Sequence, residues 1–132
     1  LAYDKDPSLD DLNLLRLGRH FRIAAGCKVI VGRDEKENNA MESILGEQGL
    51  FLRVEDHAGP VAVIRGEADD DAIRIGASLC ARYSDAKLLP EVTVKVWDRG
   101  RDVMIVTAPA GEDFIDRYKI ERKDKSRILQ KA

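Results

Sequence analysis

One segment, residues 16–33, carries five basic side chains and no carboxylate. Cations this close repel one another unless a partner neutralises them. The planar arginine fork matches phosphate geometry, so the segment predicts contact with a phosphate backbone. The adjacent acidic run Asp34–Glu37 is the internal alternative. The five basic residues are Arg16, Arg19, Arg22, Lys28 and Arg33.

Catalytic chemistry would have to come from a cysteine or a histidine. Cys27 lies beside Lys28 and near arginines that could lower its thiol pKa, although a small apolar filler on a strand explains it more simply. His57 follows two carboxylates and could act as a general base, but no nucleophile accompanies it. The acids of 67–71 fit a helix N-terminus better than a metal site. We therefore predict no catalytic residue, no metal ligand and no cofactor.

Length and composition indicate one domain. The chain has 132 residues, of which 44% are hydrophobic and 35% charged, with a net charge of −2. We predict a single domain over 1–132, with a core at about 8–110 and a basic tail at 111–132. The chain begins with Leu1, so we expect it to be excised from a larger protein.

Cysteine content and hydropathy indicate the cellular compartment of the protein. Two distant cysteines suit neither a disulfide scaffold nor a zinc site, which favours a reducing cytoplasm. No apolar run approaches the length of a membrane span, so we expect a soluble protein without a membrane partner.

Periodicity predicts the order α-ββ-α-ββ-α-ββ-α. Strands come in adjacent pairs, which favours an α+β fold, a mostly antiparallel sheet built from hairpins with two or three helices packed on it. In the first strand, Phe21 should face inward and His20 and Arg22 outward, where His20 could stack on or bond to a base. The predicted helices lie at about 8–17, 35–47 and 69–83, and the predicted strands at 20–23, 28–31, 50–54, 61–65, 91–97 and 103–107.

Several short motifs resemble the NFACT-R family over roughly residues 19–110. The most specific is Val31-Gly32-Arg33-Asp34 followed by Asn38, and weaker ones are Phe21-Arg22-Ile23, Leu50-Phe51-Leu52, Gly59-Pro60 and Ala81–Lys87. The resemblance implies an RNA-binding module. The Gly18–Arg22 opening and the Ala81–Lys87 stretch are more similar to the variant at the C-terminus of thiouridylase-like tRNA-modifying proteins, often labelled tRNA thiouridylate methyltransferases.

The chain also departs from the longer NFACT proteins. They have histidines in the second strand pair where this sequence has Val54 and Ala58, with His57 displaced by one position. Roles of those histidines therefore do not transfer to this chain. Among the predicted RNA contacts, the family motif supports Arg33 alone.

Together these features predict an RNA-binding accessory domain, directed at tRNA and joined to an upstream catalytic domain of the same chain. One alternative is a protein-interaction or dimerisation module, with a possible homodimer, that uses the strand 91–97 and an exposed Trp97. A second alternative is a small transferase that uses Cys27 or His57. The predicted RNA contacts are Arg16, Arg19, His20, Arg22, Lys28, Arg33, His57, Arg82 and Lys87.

Overall fold

The structure, a computed structural model, describes residues 9–120 and confirms the α+β fold. In this part of the chain, four α-helices and six strands follow the predicted order, and a short 3-10 helix, Gly46–Gln48, follows the second helix. The elements are α1 (Leu9–Leu14), β1 (Arg19–Ala24), β2 (Cys27–Val31), α2 (Glu35–Leu45), β3 (Leu50–Val54), β4 (Val61–Gly66), α3 (Asp70–Arg82), β5 (Val92–Asp98), β6 (Arg101–Thr107) and α4 (Glu112–Tyr118).

The six strands form one antiparallel sheet in the order β1-β2-β4-β3-β5-β6. Each predicted hairpin is an adjacent pair, and the three hairpins join through the β2–β4 and β3–β5 pairings. Within residues 9–120, β1 and β6 are therefore the two edge strands.

Both faces of the sheet are covered over β1 to β4. On one face, α3 and α4 pack on a cluster that includes Phe21, Val29 and Leu52. On the other face, α1 and α2 bury a second cluster around Ile30 and Met41. Strand β2 is consequently apolar on both sides, and its Val29, Ile30 and Val31 are fully buried.

Helix α3 lies close to the sheet because its facing residues are small. Asp69 caps the helix by accepting a hydrogen bond from the Ala72 amide at 2.8 Å. A β-carbon at Gly76 would lie 3.2 Å from Ile64 Cδ1, a tight contact that would require the Ile64 side chain to shift by a few tenths of an ångström.

The packed region extends past residue 110, where the sequence predicts a tail. Ile115 of α4 joins the core. Beyond the helix, the Ile120 amide donates to the His20 carbonyl at 2.8 Å, and Lys119 forms a bridge with Phe21 on the outer side of β1. Residues 121–132, with the remaining basic side chains of the predicted tail, lie outside the described residues.

The predicted exposed Trp97 is partly buried. It lies on β5, an inner strand, and its ring stacks on Phe51 with centroids 5.5 Å apart. The sequence prediction was wrong here because the alternation of β5 does not show that a neighbouring strand supplies a ring to cover the indole.

Within residues 9–120, no helix combines the length and the apolar character needed to cross a bilayer.

Backbone conformation at the end of β4 yields a stability prediction. Gly66 has φ +97°, and a β-carbon there would collide with the Gly26 carbonyl oxygen. We expect Gly66→Ala to lower the free energy of unfolding by more than about 1 kcal/mol in urea titrations. The matched control is Gly100→Ala in the β5–β6 turn, where a β-carbon meets no atom within 4 Å. Equal effects of the two substitutions would contradict the argument.

Candidate nucleic-acid interface

A groove of about 590 Å³ opens at one end of the sheet, where β1 and β4 begin and β2 and β3 end. Three arginines from three separate elements reach it: Arg19 at the start of β1, Arg33 in the β2–α2 turn and Arg53 in β3. The rest of the lining comprises Gly32, Asp34, Glu35, Asn38, Asn39, Glu42, Ala58, Gly59, Pro60 and Tyr83.

The β2–α2 turn lines the groove and is fixed by Asn38. The Asn38 side-chain oxygen accepts a hydrogen bond from the Val61 amide at 3.1 Å, and the Gly32 amide donates to the Val61 carbonyl at 3.0 Å. A β-carbon at Gly32 would collide with the same Asn38 oxygen. Glycine is therefore required at position 32 if α2 is to stay attached to the start of β4.

Arg33 is held by a carboxylate of the helix that follows it. Its Nη2 and Nε donate to the two oxygens of Glu37 at 2.6 and 2.9 Å, and its backbone amide donates to Glu37 at 2.9 Å. The hydrogen bonds from Arg33 are the main reason that the pKa of Glu37 falls to about 2. Glu37 is buried, whereas 53% of the Arg33 side chain is exposed, so the guanidinium is fixed at its base and open toward the groove.

Arg19 is oriented by an aromatic ring. Its guanidinium carbon lies 4.3 Å from the centroid of Tyr83, at the C-terminal end of α3. Tyr83 is supported in turn by Phe21, whose ring centroid is 6.2 Å away. The Arg19 guanidinium is thereby held against the Tyr83 ring, and both residues line the groove.

The third arginine, Arg53, is exposed and is the penultimate residue of β3, just before the β3–β4 loop. That loop is fixed to the end of α3, because the Asp85 amide donates to the Ala58 carbonyl at 2.8 Å. Gly59 packs so closely on Ser84 that a β-carbon would lie 2.6 Å from the Ser84 Cβ. The loop therefore keeps a defined position beside Arg53.

Carboxylates line the groove as well as arginines. Asp34 accepts the Glu37 amide at 2.8 Å as the cap of α2, and the exposed Glu35 and Glu42 project from the same helix. The groove thus offers cationic forks beside oxygen acceptors and the Asn39 amide. This mixture suits a ligand that carries phosphates together with hydroxyl or amino donors, as a ribonucleotide does.

A profile of the family described as NFACT protein RNA binding domain matches residues 18–119. The chain belongs to this family. Membership supports an RNA-binding role, and the matched range includes every element that lines the groove.

A solved structure shares the fold of this NFACT RNA-binding domain. The C-terminal part of the fibronectin/fibrinogen-binding protein from Streptococcus suis superposes with a TM-score of 0.70 at 19% identity. The match covers 79% of this chain and 49% of that one, so this chain spans about half of its length. No curated protein sequence matches the chain.

Of the nine predicted RNA contacts, Arg19 and Arg33 line the groove. His57 and Lys87 are exposed on the two loops joined by the Asp85–Ala58 hydrogen bond. Arg82 lies 3.8 Å from Glu112 of α4, and Arg16 is exposed after α1.

Arg22 and Lys28 lie elsewhere. They face each other across β1 and β2, and Lys28 faces Arg65 of β4 at the opposite end of the sheet from the groove. Arg65 forms an ion pair of 2.8 Å with Asp11 of α1. The basic segment 16–33 therefore divides into two groups instead of forming one surface.

The prediction that His20 contacts RNA is wrong for this structure. The side chain is 1% exposed, and its Nε2 lies 2.9 Å from the Leu17 carbonyl and 3.2 Å from that of Leu14, where it donates to the end of α1. Strand alternation placed His20 on the correct face, but α1 covers that face. His20 acts as a support for the helix.

Cys27 is a buried core residue, as the simpler interpretation predicted, and the alternative of an activated thiol is wrong. The residue is 3% exposed, and burial raises the pKa of its thiol, with a further increase from Asp69 that the Arg22 charge opposes. Cys80 is fully buried, and its pKa rises to about 12. Neither thiol has the exposure or the lowered pKa of a nucleophile. Within residues 9–120, no group of three His, Cys, Asp or Glu side chains is placed to hold a metal ion.

Two groove residues were missed by the sequence analysis as RNA contacts, Arg53 and Tyr83. Arg53 alternates with buried Leu52 and Val54, so its exposure could have been predicted from β3 alone. Tyr83 could not, because it meets Arg19 only through the packing of α3 on the sheet.

The Arg33–Glu37 pair predicts a pH-dependent contribution to stability. A carboxyl whose pKa falls from 4.5 to about 2 on folding stabilises the protein fully above pH 4.5 and loses this effect as pH drops toward 2. We expect Glu37→Gln to cost on the order of 2 kcal/mol at neutral pH, since solvent reaches part of the pair, with a difference from the native chain that shrinks below pH 4.5.

The measurement is urea denaturation at several pH values. The control is Glu42→Gln, one and a half turns further along α2, which we expect to change stability by less than about 0.5 kcal/mol. A Glu37→Gln penalty that stays constant from pH 7 to pH 3 would contradict the assignment.

Proposed function

We propose that this NFACT RNA-binding domain holds RNA in the groove between Arg19, Arg33 and Arg53. The observation that supports it is the convergence of three arginines from β1, the β2–α2 turn and β3 on one open site, in a member of an RNA-binding family. Two of the three are oriented by fixed contacts, Arg19 by Tyr83 and Arg33 by Glu37. Pre-oriented guanidinium groups lose less entropy when they bind phosphate.

We further propose tRNA as the RNA, and a tRNA-modifying protein of the thiolation type, acting in the cytoplasm, as the setting. The similarity of the Gly18–Arg22 and Ala81–Lys87 segments to thiouridylase-associated domains supports this part. The chemistry would belong to an upstream domain, while the groove would hold or orient the substrate.

The test is filter binding of a tRNA transcript, and of an unstructured RNA of equal length, at about 50 and about 200 mM salt. With three phosphate contacts, we expect affinity to fall by about 40-fold between the two salt concentrations. Absence of tRNA binding at the lower salt would overturn the RNA-binding proposal. Equal affinity for the two RNAs would overturn only the preference for tRNA.

Substitutions locate the site. We expect Arg19→Gln and Arg53→Gln each to weaken binding by about tenfold and to reduce the salt slope by about one. Arg74→Gln, an exposed position near the N-terminal end of α3, is the charge-matched control and should leave binding unchanged. If Arg22→Gln or Lys28→Gln weakens binding more than the two groove variants, the RNA site lies at the other end of the sheet.

A further inference from the structure

The two edges of the sheet differ in how they are covered. Residues 119–120 lie along the outer side of β1, where Lys119 bridges Phe21 and the Ile120 amide donates to His20. Strand β6 pairs only with β5 among the described residues, so no strand of residues 9–120 pairs with its outer row of backbone donors and acceptors. An open strand edge of this kind is a template for another strand.

Strand β6 also lacks the usual protection of an edge. Its seven residues pair with β5 in unbroken register, without a bulge or a proline. Three apolar side chains are exposed: Val103 by 44%, Met104 by 52% and Val106 by 62%. Flanking charges are confined to Arg101 and Asp102, at one end of the strand.

The exposed side chains lie on both faces of the sheet. Val103 faces the same side as its partner Val96, the side on which α3 packs, whereas Met104 and Val106 face the side of Lys95 and Thr93. A helix or a nucleic-acid strand laid on the sheet would cover one face only. A strand added beside β6 would cover both faces and satisfy the open edge.

We infer that β6 pairs antiparallel with β6 of a second copy of this chain. The register centred on Met104 places apolar side chains opposite apolar ones in the middle and places no like charges opposite each other, as a symmetric interface requires. The inference does not depend on the proposed RNA binding. In this register the cross-strand partners are Arg101 with Thr107, Asp102 with Val106, Val103 with Ile105, and Met104 with Met104 of the second copy.

This register can be tested by disulfide trapping. Directly opposed residues of an antiparallel pair have Cα atoms about 4.5–5.5 Å apart, within the range of a disulfide, so Met104→Cys should link two chains under mild oxidation. The native Cys27 and Cys80 are buried and should not compete. Val106→Cys is the matched control. In this register the Val106 positions of the two copies would be about 13 Å apart along the strand, so the two cysteines should remain unlinked.

Sedimentation of the purified chain over a wide range of concentrations gives the second readout. We expect a concentration-dependent dimer, and Met104→Lys, which places two cations opposite each other, should raise the dissociation constant by at least about tenfold. Circular dichroism of the variant checks that it folds.

Three results would overturn the inference. In sedimentation, they are the mass of a single chain at every concentration, or a dimer that the Met104→Lys substitution leaves intact. In disulfide trapping, it is a Val106→Cys variant that links two chains as fast as the Met104→Cys variant does. If Met104→Lys changes RNA affinity while the native chain stays monomeric, β6 contacts RNA and the inference also fails. Because neither disulfide trapping nor sedimentation requires RNA, the test of β6 pairing is independent of RNA binding in the groove.

Discussion

The side chain of Asn38 holds together the end of the sheet that carries the groove. Its oxygen accepts the Val61 amide, so the first turn of α2 is anchored to the first residue of β4, a strand 23 positions further along the chain. Gly32 leaves the space that this oxygen needs. This anchor fixes the β2–α2 turn to the start of β4 and with it the backbone position of Arg33. A buried amide bonded to a buried amide is costly to break, because either partner would be left without a hydrogen bond.

The same turn explains why a basic segment and an acidic one occur side by side in the sequence. Glu37 is buried with hydrogen bonds from Arg33, so its charge orients one guanidinium without neutralising the whole groove. The two interpretations of the 16–33 segment, an internal ion pair and a phosphate contact, therefore do not exclude each other at Arg33. An ion pair that is half exposed keeps outward N–H donors available, and a fixed fork binds phosphate at a smaller entropic cost than a mobile one.

Local patterns predicted the elements and their order, and they did so because each hairpin is continuous in sequence. Alternation in β1 and β5 and the caps at Asp34 and Asp69 depend on neighbours within a few residues. Burial of the second sheet face depends on where α1 and α2 pack, and a local sequence pattern does not show this. His20 was for that reason predicted to face solvent. The groove was predicted in part, since Arg19 and Arg33 lie in the segment selected by charge. Arg53 and Tyr83 join it only through the β3–β4 pairing and the packing of α3.

The groove and the β6 edge are separate in the fold, and this separation has a geometric consequence. No described residue of β5 or β6 lines the groove, so pairing through β6 would leave all three arginines open. Antiparallel pairing reverses the direction of every strand in the second copy. The two grooves of such a dimer would then lie at opposite ends of one continuous sheet, facing away from each other. A dimer built in this way would bind two RNA molecules independently instead of enclosing one between its subunits.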